Sequence, residues 1–410
     1  MMMLVPEAWE KHQSMDPAKK DFYAYNACIM EPWDGPASVP FTDGKFIGAL
    51  LDRNGLRPSR YTVTKDGYVV MSSETGVIDI DPANVSLHGR LEPGRMFLVD
   101  MEEGRIIEDR EVKEKISAKH PYGDWLKENL LPLKEVPYTG NKTPIEAEPF
   151  IKRLQAFGYT EEDIKTLITP MSTLGKEAIG SMGTDTPLAV LSHKPQLLYN
   201  YFKQLFAQVT NPPLDGIREE IVTDTSMSVG SDANIFDVIP AHAKKLNIQN
   251  PIISNEDLDK IKFIEHDDFK SKSVNALYKA SEGNNGLERA LEDLLKQVKK
   301  EVEDGANIII LSDRGINKDM APMPMLLACA FVHHGMMKHS LRSKFGIIIE
   351  SAEPREPHHF ASLFGYGASA INPYMVNEII DYQVEKGAIK GLSAENAIAN
   401  FNKAIAKGLV

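Results

Sequence analysis

Cysteine is nearly absent from this chain: two in 410 residues, Cys28 and Cys329, far apart in the sequence. Two distant thiols offer no disulfide framework and fit a reducing cytoplasm. Within this chain they also exclude an iron–sulfur cluster, which needs three or four clustered thiolates, and a cysteine-based structural zinc site. Long apolar runs are missing too, since none approaches the ~18 residues of a membrane-spanning helix. The opening residues, MMMLVPEAWEKHQSM, lack the charged, apolar, small order of a secretory signal. Positive charge is in deficit. The 46 Lys and Arg against 58 Asp and Glu give a formal net charge of −12, which argues against nucleic acid and against an anionic membrane as partners. No Gly-rich phosphate loop precedes a helix. The histidine pairs His333-His334 and His358-His359 are adjacent, so their members point about 100° apart on a helix. Without a Glu-x-x-His or His-x3-His spacing beside them, no metal site is assigned.

What is present is the composition of a globular protein: 42% hydrophobic and 25% charged residues over a length that suits two or three domains. After a short helical start, the first third reads as an antiparallel sheet. Asp43-Gly44 makes a hairpin turn into a strand over 46–51, and 60–63 pairs with 68–72 across Lys65-Asp66-Gly67. Further strands are expected over 91–99 and 104–107. In the loop Leu51-Asp52-Arg53-Asn54-Gly55-Leu56-Arg57-Pro58, Arg57 could clamp a ligand carboxylate. The plainer reading is favoured: a turn in which Asn54-Gly55 supplies positive φ and Arg57 pairs with nearby carboxylates. Cys28, flanked by Ala27 and Ile29, reads as a core cysteine. Residues 134–148, rich in turn formers and without an apolar period, read as a connection between domains.

Beyond it, strands and helices alternate, which predicts right-handed βαβ units around a mainly parallel sheet. Helices are expected over 148–157, over 160–168 with Thr160 as cap, and over 284–303, 323–338 and 357–363. Strands are expected at 252–253, 307–311, 345–350 and 367–371. The stretch 175–220 holds Gly-flanked turns at 180–183, a strand-like piece over 187–191, and a helix capped by Ser192. That helix carries Leu198, Tyr201, Phe202, Leu205, Phe206 and Val209 on one face and stops at Asn211-Pro212-Pro213. Ligands of such sheets bind at the carboxyl ends of strands. Ser312-Asp313-Arg314-Gly315 and Glu350-Ser351-Ala352-Glu353-Pro354-Arg355 fall there. Arg314 or Arg355 could hold a phosphate or carboxylate, but loop ion pairs with capping by Ser312 or Asp313 are favoured.

The residue order says more than the periodicity. GSMGTDTPLAVLS followed by LLYNYFKQLFAQVTNPP resembles the central domain of the glutamate synthase large subunit. EPWDGPASVPFTDGKFIGALLDRNGLRPSRY, VVMSSETGVIDI and RLEPGRMFLVD look like the second half of a class II glutamine amidotransferase domain. The resemblance implies three parts. Residues 1–133 would be the C-terminal half of an α+β, Ntn-type amidotransferase domain with an antiparallel sheet. Residues 134–148 would be a linker. Residues 149–410 would be an α/β central domain, truncated at its end, resembling a flavin-binding domain but holding no flavin.

The family forms glutamate from glutamine and 2-oxoglutarate in ammonia assimilation. Its glutaminase nucleophile is a cysteine at the extreme N-terminus whose α-amino group serves as base. This chain begins Met-Met-Met-Leu and Cys28 is internal, so no catalytic residue is assigned. Implied by the resemblance are a role for Met182 and Thr210 in lining or gating the ammonia passage, and FMN and an iron–sulfur cluster in a synthase domain outside this chain. Expected partners are the remaining glutamate synthase domains or subunits. The alternative is a non-catalytic scaffold that kept the fold.

Overall fold

The computed structural model describes residues 1–144, 146–179, 188–202, 214 and 216–410, which fall into two compact units. The first comprises Met1–Asn129 with Val209–Asp224, the second Leu130–Gln208 with Thr225–Val410.

In the first unit, Asp16 accepts a hydrogen bond from the Lys19 amide and starts α1 (Pro17–Ala27). The strands β1 (Ser38–Thr42), β2 (Phe46–Leu51), β3 (Arg60–Thr64), β4 (Val69–Ser72), β5 (Val85–Arg90), β6 (Met96–Asp100) and β7 (Arg105–Ile107) form two antiparallel sheets, ordered β1-β2-β6-β7 and β4-β3-β5. The expected Asp-Gly hairpin is there. Gly44 takes φ +92, and the Asp43 carboxylate accepts from the amides of Lys45 and Phe46, fixing the register that pairs Thr42 with Ile47. Helices α2 (Asp109–Ser117) and α3 (Tyr122–Asn129) follow. Aromatic side chains from α1 and α3 pack edge to face, with Phe22 and Tyr122 5.3 Å apart between ring centroids.

The expectations for this unit are corrected at three points. The strand anticipated from Leu91 begins at Met96, because Pro93-Gly94 forms a turn with Gly94 at φ +66. The strand β5 has no counterpart among the expected strands: its side chains are mostly exposed, so no alternation marks it. In the loop after β2, Gly55 has φ +65, and a Cβ there would lie 2.5 Å from the Pro93 side chain. Arg57 is exposed and makes no ion pair among the described residues, so the carboxylate pairing expected for it is absent there.

The second unit opens with β8 (Leu131–Pro132), then α4 (Phe150–Ala156) and α5 (Thr169–Leu174). Thr160 caps the helical run as expected, exchanging hydrogen bonds with Asp163, but Asp163–Ile168 is a π-helical turn leading into α5. Further on come α6 (Glu219–Val222, in the first unit), β9 (Met227–Val229), β10 (Leu246–Ile248), α7 (Asn255–Lys262), β11 (Ser271–Asn275), β12 (Leu277–Lys279), α8 (Gly283–Glu303), β13 (Ile308–Ser312), β14 (Met320–Pro322), α9 (Met325–Lys338), β15 (Gly346–Glu350), α10 (Pro357–Gly365), β16 (Ala368–Asn372), α11 (Tyr374–Glu385) and α12 (Ala394–Leu409). The parallel sheet runs β11-β13-β15-β16, and Ile252 adds an isolated parallel bridge to Ile371 in place of the expected short strand.

Both central strands are buried throughout, as a sheet covered on two faces requires. Alternation divides them between two cores. Ile309, Leu311, Ile347 and Ile349 join Leu294, Val298, Leu326, Val332, Phe360, Ile380 and Phe401 of the helical layer. Ile308, Ile310 and Ile348 face Leu258 and Ile261 of α7 together with Val229, Leu246 and Ile248 of the small sheet β8-β10-β9.

Within the stretch 175–220, the turns expected at 180–183 and residue 187 of the strand-like piece lie outside the described residues, while residues 188–202 depart from expectation. Residues 188–191 contain a 3-10 turn (Ala189–Leu191) in place of the strand-like piece. Ser192 is extended and does not cap a helix, and Leu198–Tyr201 is a separate 3-10 turn. The remainder of that expected helix, 203–210, lies outside the described residues. Residues 134–148, expected as a linker, are mostly exposed in their described part but anchored at three points: Val136 is buried, the Thr143 hydroxyl donates to Asp259 at 2.6 Å, and Glu146 accepts from the Gly315 amide at 3.1 Å.

Candidate functional site at the strand ends

The carboxyl ends of β13 and β15 carry the densest buried polar cluster among the described residues. Glu350 closes β15 and is fully buried. Its two oxygens accept from Arg314 Nε at 2.6 Å and from Lys262 Nζ at 2.9 Å. Burial pushes this carboxyl up, but Arg314 and Lys262 outweigh it and hold the group below its ordinary range. Arg314 also faces Glu146 at 3.5 Å and Glu378 at 3.7 Å, and its guanidinium lies 3.8 Å over the Tyr374 ring. Each of these charges has a partner.

Arg355 is satisfied in the same way. It donates to Asp163 at 3.1 Å and to the carbonyls of Phe157 and Gly158, and it stacks 3.8 Å over Tyr159. The π-helical turn thus presents Asp163 to the strand-end arginine. Both arginines named from the sequence are consumed by protein groups, so the ion-pair reading holds and neither is free to clamp a phosphate. Lys262, Glu146, Tyr374 and Glu378 were not legible as members of this cluster. They arrive from α7, the anchored connection and α11, and nothing local to their sequence marks the meeting.

Behind this charged layer lies a second pair of acids, neither in an ion pair among the described residues. Asp313, wholly buried, accepts from Ser351 Oγ at 2.5 Å and from the Ala352 amide at 3.1 Å, and it lies against Tyr374. Burial raises its pKa to about 8 despite these donors. Glu353 accepts from the Met325 amide at 3.0 Å, satisfying a free donor at the start of α9, and burial raises it to about 7. Tyr199 stacks on His359 with centroids 4.5 Å apart. Burial lowers His359, against the opposing pull of Glu356. Asp313 and Glu353 can hold a proton near neutral pH. Burial pushes the Cys329 thiol up to about 12, and Cys28 is buried at the end of α1.

Three of the four paired histidines are engaged by protein groups: His333 Nδ1 accepts from Arg342 at 3.0 Å, His358 Nε2 bonds the Tyr199 carbonyl, and His359 Nε2 lies 2.9 Å from Glu356. Among the described residues no three His, Cys, Asp or Glu side chains group as a metal site would. Met182 and Thr210, assigned to an ammonia passage, lie outside the described residues. In the first unit a small cavity of about 100 Å³ is lined by Trp33, Asp34, Val39, Leu50, Asp52 and Arg218, with Arg218 donating to the Trp33 carbonyl.

An antiparallel unit followed by an α/β unit has counterparts among known proteins. Residues 1–125 match the profile of the class-II glutamine amidotransferases, and residues 152–410 match that of the glutamate synthase central domain. The chain therefore belongs to the glutamate synthase family, through its central domain. It is 45% identical over 409 residues to the glutamate synthase (NADPH) large chain of Bacillus subtilis, covering 100% of this chain and 26% of that one. The glutamate synthase (NADH) of Schizosaccharomyces pombe is 40% identical over 422 residues (100% and 20%), and the ferredoxin-dependent glutamate synthase 2 of Synechocystis is 39% identical over 423 residues (100% and 27%). The chain spans about a fifth to a quarter of the length of these relatives.

Proposed function

We propose that this chain is the amidotransferase-to-synthase connecting part of a glutamate synthase, acting with glutamine and 2-oxoglutarate in the complete polypeptide. The observation that carries this reading is identity along the whole chain to glutamate synthases of several organisms, with two family profiles matched one after the other along it. In this reading 1–133 is the second half of the amidotransferase domain and 149–410 the central domain. The latter is a flavin-binding type of α/β fold without flavin. FMN and the iron–sulfur cluster belong to further domains, and the setting is the cytoplasm. No helix among the described residues is long and apolar enough to cross a membrane.

Met182 and Thr210 line or gate the ammonia passage: a thioether excludes water and a hydroxyl offers one hydrogen bond to a small amine. The test is a chimera in which this chain replaces the aligned 409 residues of the Bacillus subtilis large chain. Glutamine-dependent glutamate formation is expected. Met182→Trp should lower it by roughly tenfold or more while leaving ammonia-dependent formation unchanged. An inactive chimera would favour a non-catalytic scaffold; equal loss of both activities would remove Met182 from the passage.

A further inference from the structure

Between β9 and the 3-10 turn Pro240–Ala243, the chain raises an apolar tip into solvent. Phe236 is 88% exposed, Ile235 57%, Val238 46% and Ile239 38%. Four neighbouring apolar side chains in water are unfavourable unless something covers them.

This tip is built, not loose. Gly230 enters the loop at φ +149, where a side chain would be strained and would meet the Lys244 carbonyl at 3.2 Å. The Asp232 amide donates to the Ser343 carbonyl at 2.7 Å. Lys245, 2% exposed, donates to the Ser231 carbonyl at 3.0 Å and to the Asp232 carboxylate. His242, also buried, sets Nε2 at 2.9 Å from the Asp237 carbonyl and 3.2 Å from the Asn234 carbonyl, so Nε2 carries the proton. Asn234 donates its side-chain amide to Asp237 Oδ2 at 3.0 Å. The Asp237 charge is thus turned back onto the loop. Committing a buried lysine and a buried histidine to hold an exposed phenylalanine is the arrangement of a preorganised anchor, whose ordering cost is met before its partner arrives.

We infer that the 235–239 tip docks into an apolar pocket on a further domain of the complete glutamate synthase polypeptide, with Phe236 as the anchor. This rests on the reading above. The relatives carry roughly three-quarters or more of their length outside the region that this chain matches, which is the chain available to supply such a pocket in the complete polypeptide.

The experiment uses Phe236→Cys in the isolated chain and in the Bacillus subtilis chimera, with maleimide labelling read by peptide mass. Cys28 and Cys329 are buried and give little background. The introduced thiol should label rapidly in the isolated chain and about tenfold or more slowly in the chimera, as burial demands. Phe236→Asp should leave the melting temperature of the isolated chain unchanged, since the side chain is exposed there, and should lower that of the chimera. An active chimera whose introduced thiol labels as fast as that of the isolated chain overturns the docking inference and leaves the family reading standing. An inactive chimera overturns the proposed function and the docking with it. Protection of the introduced thiol in the isolated chain that grows with concentration would assign the tip to a second copy and overturn the inference.

Discussion

The proton on Asp313 can be measured through stability. Its carboxyl has an ordinary value of 3.8 and is raised to about 8 in the folded chain by burial. A group raised on folding contributes stability that is fully present below the unfolded value and is lost as pH rises through the folded one. Between about pH 4 and pH 8 the folded state therefore holds one more proton here than the unfolded state. Stability should fall by up to about 1.4 kcal/mol per pH unit from this residue, roughly 6 kcal/mol across the window as an upper bound. Glu353, raised to about 7, acts in the same direction. Glu350 acts oppositely, since its paired carboxylate loses stability only in acid.

Asp313→Asn removes the titration while keeping a neutral side chain of the same shape. Because two compact units need not unfold together, the assay should follow the second alone. Cys329 is fully buried there, so pulsed thiol labelling in urea, resolved by peptide mass, reports that unit. The stability of the parent minus that of Asp313→Asn should decline steadily from pH 5 to pH 8. A difference that stays flat would refute the reasoning. It would mean that the Ser351 hydroxyl, the Ala352 amide and Tyr374 suffice to keep Asp313 ionised throughout.

Arg314→Ala should cost about 3–5 kcal/mol in urea unfolding of the second unit, because Glu350 remains buried with Lys262 alone; a loss near zero would show that water or Lys262 compensates. Ser254→Ala removes the hydroxyl that accepts from the Asp257 amide at the start of α7 and should cost about 1 kcal/mol by the same assay, against a control substitution on the exposed face of that helix. Ile310→Ala, at a fully buried point of β13, should cost about 2–5 kcal/mol, and an effect below about 1 kcal/mol would mean that the core collapses onto the gap.

The second unit was legible wherever burial imposes a pattern. The run Asn307 to Leu311 and the stripe Leu291, Leu294, Val298, Val302 announce β13 and α8 because each must hide a face. The edge strand β11, Ser-Lys-Ser-Val-Asn, carries one fully buried side chain and offers no signal, though its five residues pair in register with β13. The apolar stripe from Leu198 to Phe202 reads as the first turns of a helix and is instead a 3-10 turn with Phe202 extended at its end. Tertiary contacts such as the Tyr199 stack on His359 override the local period. At the strand ends the sequence exposed Arg314, Glu350 and Arg355 by their place after apolar runs. Their partners came from more than a hundred residues away in several cases, and no local spacing encodes such meetings. Asp313 reads as a cap and proves to be a buried acid, because exposure is settled by α9 and α11 rather than by its neighbours in the chain.

The central pair of strands also poses an addressing problem. β13 reads Ile-Ile-Ile-Leu-Ser and β15 reads Gly-Ile-Ile-Ile-Glu, paired so that Ile309 meets Ile347 and Ile310 meets Ile348. A slip of two residues would return each side chain to its own face against nearly identical neighbours, so greasy contact alone hardly tells one alignment from another. The ends do. Gly346 has no room for a side chain, since a Cβ would run into Val229, and four residues later Glu350 must reach both Arg314 and Lys262. Sliding the strand would leave a buried carboxylate without partners and drive an isoleucine into β9. The ionic cluster then serves as a punctuation mark: it adds little net cohesion, yet it spells out where an otherwise repetitive sentence begins and stops.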